Sequence, residues 1–325
     1  MVKLASPETA AQKKATRAAY GATLAALAEE GVPVVAVDAD LTGSTTTKKL
    51  ADAGFADRLF NCGIAEQNMV DVAAGLSLAG NIAYTGSFAV FGTGRAYDQI
   101  RNTVCYSNLN VKIAPTHAGV SVGPDGGSHQ MLEDVSLMRG LPNMRVLVPA
   151  DYAAAAAALR LAAETPGPVY VRMGRAAVPC VYEDGVELEI GRAYVLREGA
   201  DATIVANGVE IREALAAADA LAAEGISVEV IDAFSVKPLD EETIVASAKK
   251  TGAVVVAEEH SVYGGLGSAV CEVLAAQCPV PVEQVAVRDR FGKSGELDEL
   301  LAYFSIDAAA IVEAVKKARV RAGLC

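Results

Sequence analysis

The sequence predicts an α/β protein with two doubly wound domains, and three observations support this. Short runs of β-branched and apolar residues alternate with alanine-rich helical stretches, a pattern typical of parallel sheets flanked by helices. The alternation is interrupted by a stretch rich in Pro, Asp and Gly at 179–191 and then resumes. A chain of 325 residues is long enough for two domains that each bury a core. We therefore expect domains at 1–185 and 186–325.

The first domain is predicted to contain five buried strands and five helices. The strands are expected at 32–40, 81–86, 110–117, 144–150 and 167–173. The helices are expected at about 9–29, 63–79, 92–107, 129–139 and 151–164. In a parallel doubly wound sheet, ligands bind at the carboxyl ends of the strands. We therefore look for functional residues in the segments that follow these strands.

The second domain repeats the pattern with fewer elements. Its strands are predicted at 202–208, 226–233, 253–260 and 281–289, and its helices near 209–224, 240–250 and 266–277. Glycines at 92–94 and at 263–267 resemble parts of nucleotide-binding loops, but neither group completes a motif. No nucleotide site is predicted.

Composition and charge narrow the classes of partner. Twelve net negative charges argue against nucleic acid and anionic membranes, because both would repel the average surface. The six cysteines, at 62, 105, 180, 271, 278 and 325, form neither a CxxC pair nor a Cys/His cluster, so we expect reduced thiols and no metal site. The sequence shows no signal-peptide pattern and no run of about 18 apolar residues, which predicts a cytoplasmic protein without a membrane partner.

Glu66 is the first candidate for chemistry, in the segment FNCGIAEQNMVDVAAGLSLAG at 60–80. If Gly63 caps the helix, Glu66 occupies the third helical position, where a carboxylate interacts well with the positive helix end. Glu66 also shares a helix face with Val70 and Ala73, at spacings of four and seven. A carboxyl group packed against apolar residues is a candidate for proton sharing with a ligand. Both interpretations are open at this point.

Two phenylalanines follow the second predicted strand. Phe88 and Phe91 are three residues apart in a chain with only 5% aromatic residues. They either fill the core or offer a stacking surface for a flat ring.

Two of the three histidines lie in one glycine-rich segment after a predicted strand. His117, Asp125 and His129 belong to THAGVSVGPDGGSHQ at 116–130. Glycines let the backbone approach a polar ligand, and the polar side chains supply donors and an acid–base pair. The twelve-residue spacing of the histidines does not match zinc-ligand patterns. The segment predicts a binding loop for a polar molecule.

Three arginines at the edges of predicted strands and helices are the last candidate functional residues. Arg17, Arg172 and Arg175 would ordinarily form solvated ion pairs, but a guanidinium beside a histidine and a hydroxyl is also how proteins hold phosphate. His260 is expected to be structural or to lie at an interface.

Together these segments resemble transketolase, specifically the second half of that enzyme, over essentially the whole chain. GIAEQNM resembles the glutamate motif of the family, and TGSFAVF resembles the segment that supplies phenylalanines around the cofactor. THAGVSVGPDGGSHQ, followed by SLMRGLPNMRVLVPAD, resembles its substrate loop. The occurrence of these motifs together and in this order is more specific for the family than any one motif alone.

The resemblance implies thiamine diphosphate as cofactor. Glu66 would hydrogen-bond the aminopyrimidine ring, Phe88 would stack on it, and Phe91 would line the same pocket. The cofactor would carry a two-carbon ketol unit from a ketose phosphate to an aldose phosphate.

The resemblance also implies the contacts to the phosphorylated sugar. His117 would contact the reacting hydroxyl groups, and Asp125 would contact a sugar hydroxyl. Arg172 matches no contact of the family and is expected to be structural. Four residues would bind the terminal phosphate: Arg17, Ser44, His129 and Arg175.

Three segments depart from the family pattern. Ala65 stands where many transketolases have arginine, DGGSHQ stands where DGPTHQ is usual, and Gly94 replaces an aromatic residue of the cofactor pocket. A further departure concerns the diphosphate and Mg²⁺, which the family binds through a GDG motif in a preceding domain. The sequence has no GDG. We therefore expect a separate N-terminal subunit to hold the diphosphate and Mg²⁺, in an α₂β₂ assembly with two active sites.

Two other interpretations are weighed against this one. The beta subunit of a 2-oxo acid dehydrogenase or decarboxylase, or an enzyme similar to deoxyxylulose-phosphate synthase, would share the fold and the glutamate. His117 and the predicted phosphate set argue against a 2-oxo acid substrate without phosphate, and His117 also argues against the synthase. A noncatalytic scaffold with this fold would be expected to lose Glu66 or the histidine segment. The sequence leaves open which sugars are used, and whether they belong to the pentose phosphate pathway or to a rarer route.

Overall fold

The computed structural model describes residues 2–324, which form two parallel-stranded sheets covered by helices. The strands are β1 (Lys13–Ala15), β2 (Val34–Asp38), β3 (Leu59–Asn61), β4 (Ile82–Gly86), β5 (Val111–Ile113), β6 (Arg145–Leu147), β7 (Val169–Val171), β8 (Ala177–Pro179), β9 (Tyr194–Arg197), β10 (Ala202–Ala206), β11 (Val228–Asp232), β12 (Ser235–Lys237), β13 (Val254–Ser261) and β14 (Val282–Val287).

The α-helices vary from single turns to four turns. They are α1 (Pro7–Ala10), α2 (Arg17–Glu29), α3 (Thr42–Thr45), α4 (Lys48–Asp52), α5 (Glu66–Leu78), α6 (Tyr97–Gln99), α7 (Asp134–Arg139), α8 (Tyr152–Glu164), α9 (Glu210–Ala223), α10 (Glu241–Thr251), α11 (Leu266–Gln277), α12 (Leu297–Phe304) and α13 (Ala308–Arg321). π-Helical turns at Val90–Arg95 and Ile100–Cys105 flank α6.

The first sheet has seven strands in the order β12-β6-β7-β5-β4-β2-β3. All of its pairings except β12–β6 are parallel. Every residue of β2 is buried, as expected for a central parallel strand covered on both faces. The carboxyl ends of β2, β4 and β5 therefore meet at one edge, which is where ligands bind in doubly wound sheets.

The second sheet has five strands in the order β14-β13-β10-β11-β9, and only β9 is antiparallel. Two large apolar clusters each draw residues from both sheets. One contains Leu24 of α2 and Ile204 of β10. The other contains Met69 of α5 and Val256 of β13. The two halves of the chain consequently share their cores, which fixes one sheet against the other.

One strand crosses between the halves. Ser235 of β12 pairs with Leu147 of β6, so a segment from beyond residue 190 forms the edge of the first sheet. Further pairing occurs outside the main sheets, between β1 and β8.

The α/β class with parallel sheets is confirmed, and most predicted elements exist. The single helix predicted at 9–29 is interrupted between α1, which ends at Ala10, and α2, which begins at Arg17, because Lys13–Ala15 pairs with Ala177–Pro179. The helix predicted at 129–139 begins only at Asp134. Two terminal helices, α12 and α13, were not predicted.

No helix within residues 2–324 combines the length and apolar character that crossing a membrane requires. Five cysteines are free thiols, and Cys325 lies outside the described residues.

Candidate active site

Glu66 is the first residue of α5 and is only 2% exposed. The prediction that Gly63 caps this helix is wrong, because Gly63 has a φ of +68° and the cap position belongs to Ala65, which makes no side-chain capping bond. Glu66 is followed on the buried face of α5 by Met69 and Val70. Glu66 is therefore buried on the same helix face as apolar residues, as the spacing predicts.

Arg95 is the polar partner of Glu66, and sequence reasoning missed it. Its Nη1 donates to Glu66 Oε2 over 2.8 Å. The arginine side chain is 48% exposed, whereas that of Glu66 is 2% exposed. The guanidinium carbon also lies 4.6 Å from the ring centroid of Phe91, in cation–π geometry. Arg95 therefore joins the buried acid to the aromatic residues.

Phe88 and Phe91 follow β4 and form a nearly parallel pair. Their ring centroids are 6.3 Å apart and their planes are inclined by 17°. Phe88 stacks at 3.8 Å on the ring of His117. The ring of His129 stands edge-on to Phe91 at 5.4 Å. The two aromatic residues thus connect Glu66 and Arg95 to both histidines of the 116–130 segment.

His117 is buried and held in a constrained backbone conformation. Its φ is +63°, in the left-handed region that side chains other than glycine rarely adopt. Its Nδ1 shares a hydrogen bond of 2.7 Å with Thr116 Oγ1. Burial lowers the pKa of His117 to about 3, and the positive charges of Arg17 and Arg175 lower it as well. The imidazole is therefore neutral at physiological pH.

The predicted phosphate-binding residues converge on His117 from three parts of the chain. Arg17 begins α2, and its Nη1 donates to the backbone oxygen of Ser44 over 2.8 Å. Burial lowers the pKa of Arg17, the charge of Arg175 lowers it further, and the charge of Asp125 opposes this. His129 is half-buried and shares a hydrogen bond of 2.9 Å with Ser128. Arg17 and Arg175, with His129 beside them, thus form a local cationic cluster in an acidic protein.

The turn that carries Ser44 is held by Asp38, which sequence reasoning also missed. Asp38 ends β2, and its carboxylate accepts from the Leu41 N–H at 2.6 Å, Thr45 Oγ1 at 2.8 Å and Thr47 Oγ1 at 2.9 Å. Burial raises the pKa of Asp38, and these hydrogen bonds oppose the rise. The strand end therefore places the 41–47 turn beside Arg17.

Arg172 and His260 lie in a different buried cluster. Arg172 Nε donates to Asp134 Oδ2 over 2.7 Å, and its Nη1 lies 3.4 Å from Glu259 Oε1. His260 is 1% exposed, and its Nε2 accepts from the Ser136 N–H at 3.4 Å. Each of the two residues bonds a residue of the other half of the chain. Both therefore fit the structural role expected for them from the sequence.

The site combines a buried acid and aromatic faces at one end with cations and a neutral imidazole at the other. Such an arrangement suits a flat heterocycle at the first end and a phosphorylated polar molecule at the second. Among residues 2–324, no group of three or more His, Cys, Asp or Glu side chains is arranged to hold a metal ion.

Comparison with known proteins identifies the families that the two halves resemble. Residues 12–181 match the profile of the transketolase pyrimidine-binding domain, and residues 191–311 match that of the transketolase C-terminal domain.

Two relatives and one solved structure match over nearly their whole length. A protein of Methanocaldococcus jannaschii named as a transketolase C-terminal section is 46% identical over 305 residues, which are 93% of this chain and 95% of that protein. The 6-deoxy-6-sulfo-D-fructose transketolase subunit SqwH of a Clostridium species is 43% identical over 92% of each chain. A solved structure described as a split gene transketolase, inactive beta4 tetramer, is 51% identical, with a TM-score of 0.87 over 95% of this chain and 99% of the other.

Proposed function

The chain belongs to the transketolase family, and we propose that it is the C-terminal subunit of a two-chain, thiamine diphosphate-dependent transketolase that transfers a two-carbon ketol unit between phosphorylated sugars. The observation that carries this proposal is the continuous site from Glu66 through Phe91 and Phe88 to His117 and the cationic cluster. The proposed enzyme is cytoplasmic.

The residues at the acid end fit the pyrimidine ring of thiamine diphosphate. A nearly fully buried carboxyl group can share a proton with a ring nitrogen, and Phe88 and Phe91 offer flat apolar faces beside it. When bound, this cofactor supplies the nucleophilic carbon and the electron sink for the two-carbon unit. Glu66 would hold a proton at the ring nitrogen, and the phenylalanines would fix the plane of the ring and exclude water from it.

The residues at the cationic end suit a sugar phosphate. Arg17, Arg175 and His129 would bind the terminal phosphate through charge-assisted hydrogen bonds, with Ser44 as a further contact. The Nδ1 of His117 is bonded to Thr116, so its Nε2 would form the hydrogen bond that holds a reacting hydroxyl group of the sugar. Exposed Asp125 would accept from another sugar hydroxyl.

A second polypeptide is part of the proposal. The chain carries a net charge of −12, which would repel a diphosphate, and the cationic cluster is already assigned to the phosphate of the sugar. We therefore assign the diphosphate and Mg²⁺ to a separate N-terminal subunit carrying a GDG motif. Ile64, two residues before Glu66, is 78% exposed, and Gln67 and Asn68 on α5 are exposed too. This surface around the acid is where we place the partner subunit, in an α₂β₂ assembly. The "subunit" and "split gene" relatives support this division of the enzyme.

The test is reconstitution with the partner. The purified chain, a GDG-containing transketolase N-terminal subunit encoded by the same genome, and their mixture are each assayed with thiamine diphosphate, Mg²⁺, a ketose phosphate and an aldose phosphate. We expect activity only in the mixture, and none in a mixture containing Glu66→Gln. Full activity of the chain without any second polypeptide would contradict the two-chain proposal. A panel of phosphorylated and sulfonated sugars would then identify the substrates, since SqwH is named for a sulfonated one.

A further inference from the structure

The histidine loop, residues 116–130, is held by the second half of the chain at three places. The loop carries His117, Asp125 and His129, and the proposed function assigns all three to the sugar.

The first contact is a buried carboxylate. Glu259 lies near the carboxyl end of β13 and is 3% exposed. Its Oε2 accepts from the backbone N–H of Ser121 at 3.0 Å, and its Oε1 accepts from Ser121 Oγ at 3.1 Å. A Cβ at Gly119, whose φ is +77°, would lie 2.2 Å from the Glu259 carboxyl carbon. The loop backbone therefore passes directly over this carboxylate, only two residues after His117.

The carboxylate is itself fixed in direction. Arg172 follows β7, and its Nη2 donates to the backbone oxygen of Glu259 at 3.1 Å, while its Nη1 lies 3.4 Å from Glu259 Oε1. Arg172 is anchored in turn by Asp134, at 2.7 Å. Burial raises the pKa of Glu259, although Arg172 and the Ser121 bonds oppose the rise. A carboxylate with this many fixed partners has one orientation available.

The other two contacts lie at the turn and at the end of the loop. A Cβ at Gly127 would lie 2.6 Å from the backbone oxygen of Gly292, so the two chain segments touch through their backbones. Gln130 Nε2 donates to the Lys293 oxygen at 2.9 Å and to the Val120 oxygen at 3.0 Å. The same side chain thereby ties the end of the loop both to its beginning and to the second half of the chain.

We propose that Glu259 is a positioning residue for sugar binding: through Ser121 it fixes the histidine loop so that His117, in its left-handed conformation, faces the substrate. This gives the C-terminal domain an indirect part in sugar recognition, through the position of the loop. A non-glycine residue in the left-handed region is strained and persists only where its surroundings hold it. The Glu259–Ser121 contact supplies such a restraint within four residues of His117. The expected change in KM rests on the proposed function. The claim that Glu259 holds the loop can be tested without that function.

The test compares Glu259→Gln with Glu258→Gln. Glu258 is the adjacent residue on β13 and is equally buried, but it accepts from the N–H groups of Leu266 and Gly267 at the start of α11 and does not contact the loop. Amide hydrogen exchange is measured on the full chain, and kcat, the KM for the sugar phosphate and the cofactor dissociation constant are measured on the assembled enzyme. Ser121→Ala is the milder variant, because it removes the hydroxyl bond and keeps the backbone bond, and it serves if Glu259→Gln does not fold.

We expect Glu259→Gln to speed exchange of the amides at 119–123 by about tenfold and to raise KM for the sugar phosphate by about tenfold. Cofactor affinity should stay within twofold, Glu258→Gln should leave loop exchange and KM unchanged, and Ser121→Ala should show a smaller rise in both. Unchanged loop exchange in Glu259→Gln, or an equal rise in KM in Glu258→Gln, would overturn the inference. If the assembled wild-type enzyme turns over no sugar phosphate, the proposed function fails, while the exchange data still decide whether Glu259 holds the loop.

Discussion

Arg95 and Glu66 form a one-sided ion pair: the carboxylate is almost fully buried and the guanidinium is half exposed, with 2.8 Å between Nη1 and Oε2. The pair lies where the proposed cofactor ring would meet the protein. A carboxylate this buried needs a hydrogen-bonding partner, because an unpaired buried charge is costly.

The strength of this pair can be measured with a double-mutant cycle. Glu66→Gln, Arg95→Gln and the double variant are unfolded with urea, and the coupling free energy is taken from the four values. We expect coupling of about 1 kcal/mol, because solvent around the half-exposed guanidinium weakens the attraction. Additive effects of the two substitutions would mean that the pair contributes nothing to stability.

Replacement of the acid should abolish most turnover while leaving the fold intact. In the assembled enzyme we expect Glu66→Gln to lower kcat by about 10²- to 10⁴-fold, the range that one positioned acid or base contributes. Asp71→Asn is the matched control, because Asp71 is an exposed carboxylate on the same helix. Circular dichroism checks the fold of both variants. A kcat for Glu66→Gln equal to that of the control would remove Glu66 from the mechanism.

Removal of Arg175 should impair binding of the phosphate group in particular. Loss of a hydrogen bond to a charged group costs about 1.5–3 kcal/mol, so Arg175→Ala should raise KM for phosphorylated sugars by about 10- to 100-fold. Arg192→Ala, at an exposed arginine of the second half, should leave KM unchanged. The assay is run in parallel with unphosphorylated sugars. If KM for those rises equally, Arg175 does not bind the phosphate.

The low pKa of His117 predicts that its contribution to the free energy of unfolding depends on pH. The unfolded chain binds a proton at this position below a pH of about 6.5, whereas the folded chain does so only near a pH of about 3. The unfolded state therefore binds more protons in this window, and the contribution of His117 to stability falls as the pH is lowered, by about 1.4 kcal/mol per pH unit.

This term is isolated by comparing urea unfolding of the wild type and His117→Asn between pH 5 and pH 7. The wild type should lose stability relative to the variant as the pH falls below about 6.5. Parallel stability curves for the two proteins would show that the folded state does not resist protonation of His117.

Much of the site follows from the sequence because its residues sit in local motifs. Glu66 begins a helix with an apolar face, and the aromatic pair and the histidine loop follow predicted strands, so the sheet edge brings them together. The structure brings Glu66, the two phenylalanines and both histidines together, and their roles toward cofactor and sugar are part of the proposal. The pattern of residue types was sufficient here because each residue lies close in sequence to the element that positions it.

Other features depend on geometry that sequence periodicity does not encode. Arg95 reaches Glu66 from a π-helical turn, whose residues do not follow the usual 3.6-residue period. Asp38 is one of two aspartates in VDAD, and only its three hydrogen bonds mark it as the organiser of the following turn. Glu259 acts on a loop 138 residues away in the sequence, and no local pattern predicts such a contact.

The strand β12 has a consequence for anyone who divides this protein. A cut near residue 185 would remove the outermost strand of the first sheet and leave β6 with open hydrogen-bonding groups, which invite pairing with other molecules. Chimaeras that exchange one half with a homologue would have to carry residues 235–237 along with the upstream portion.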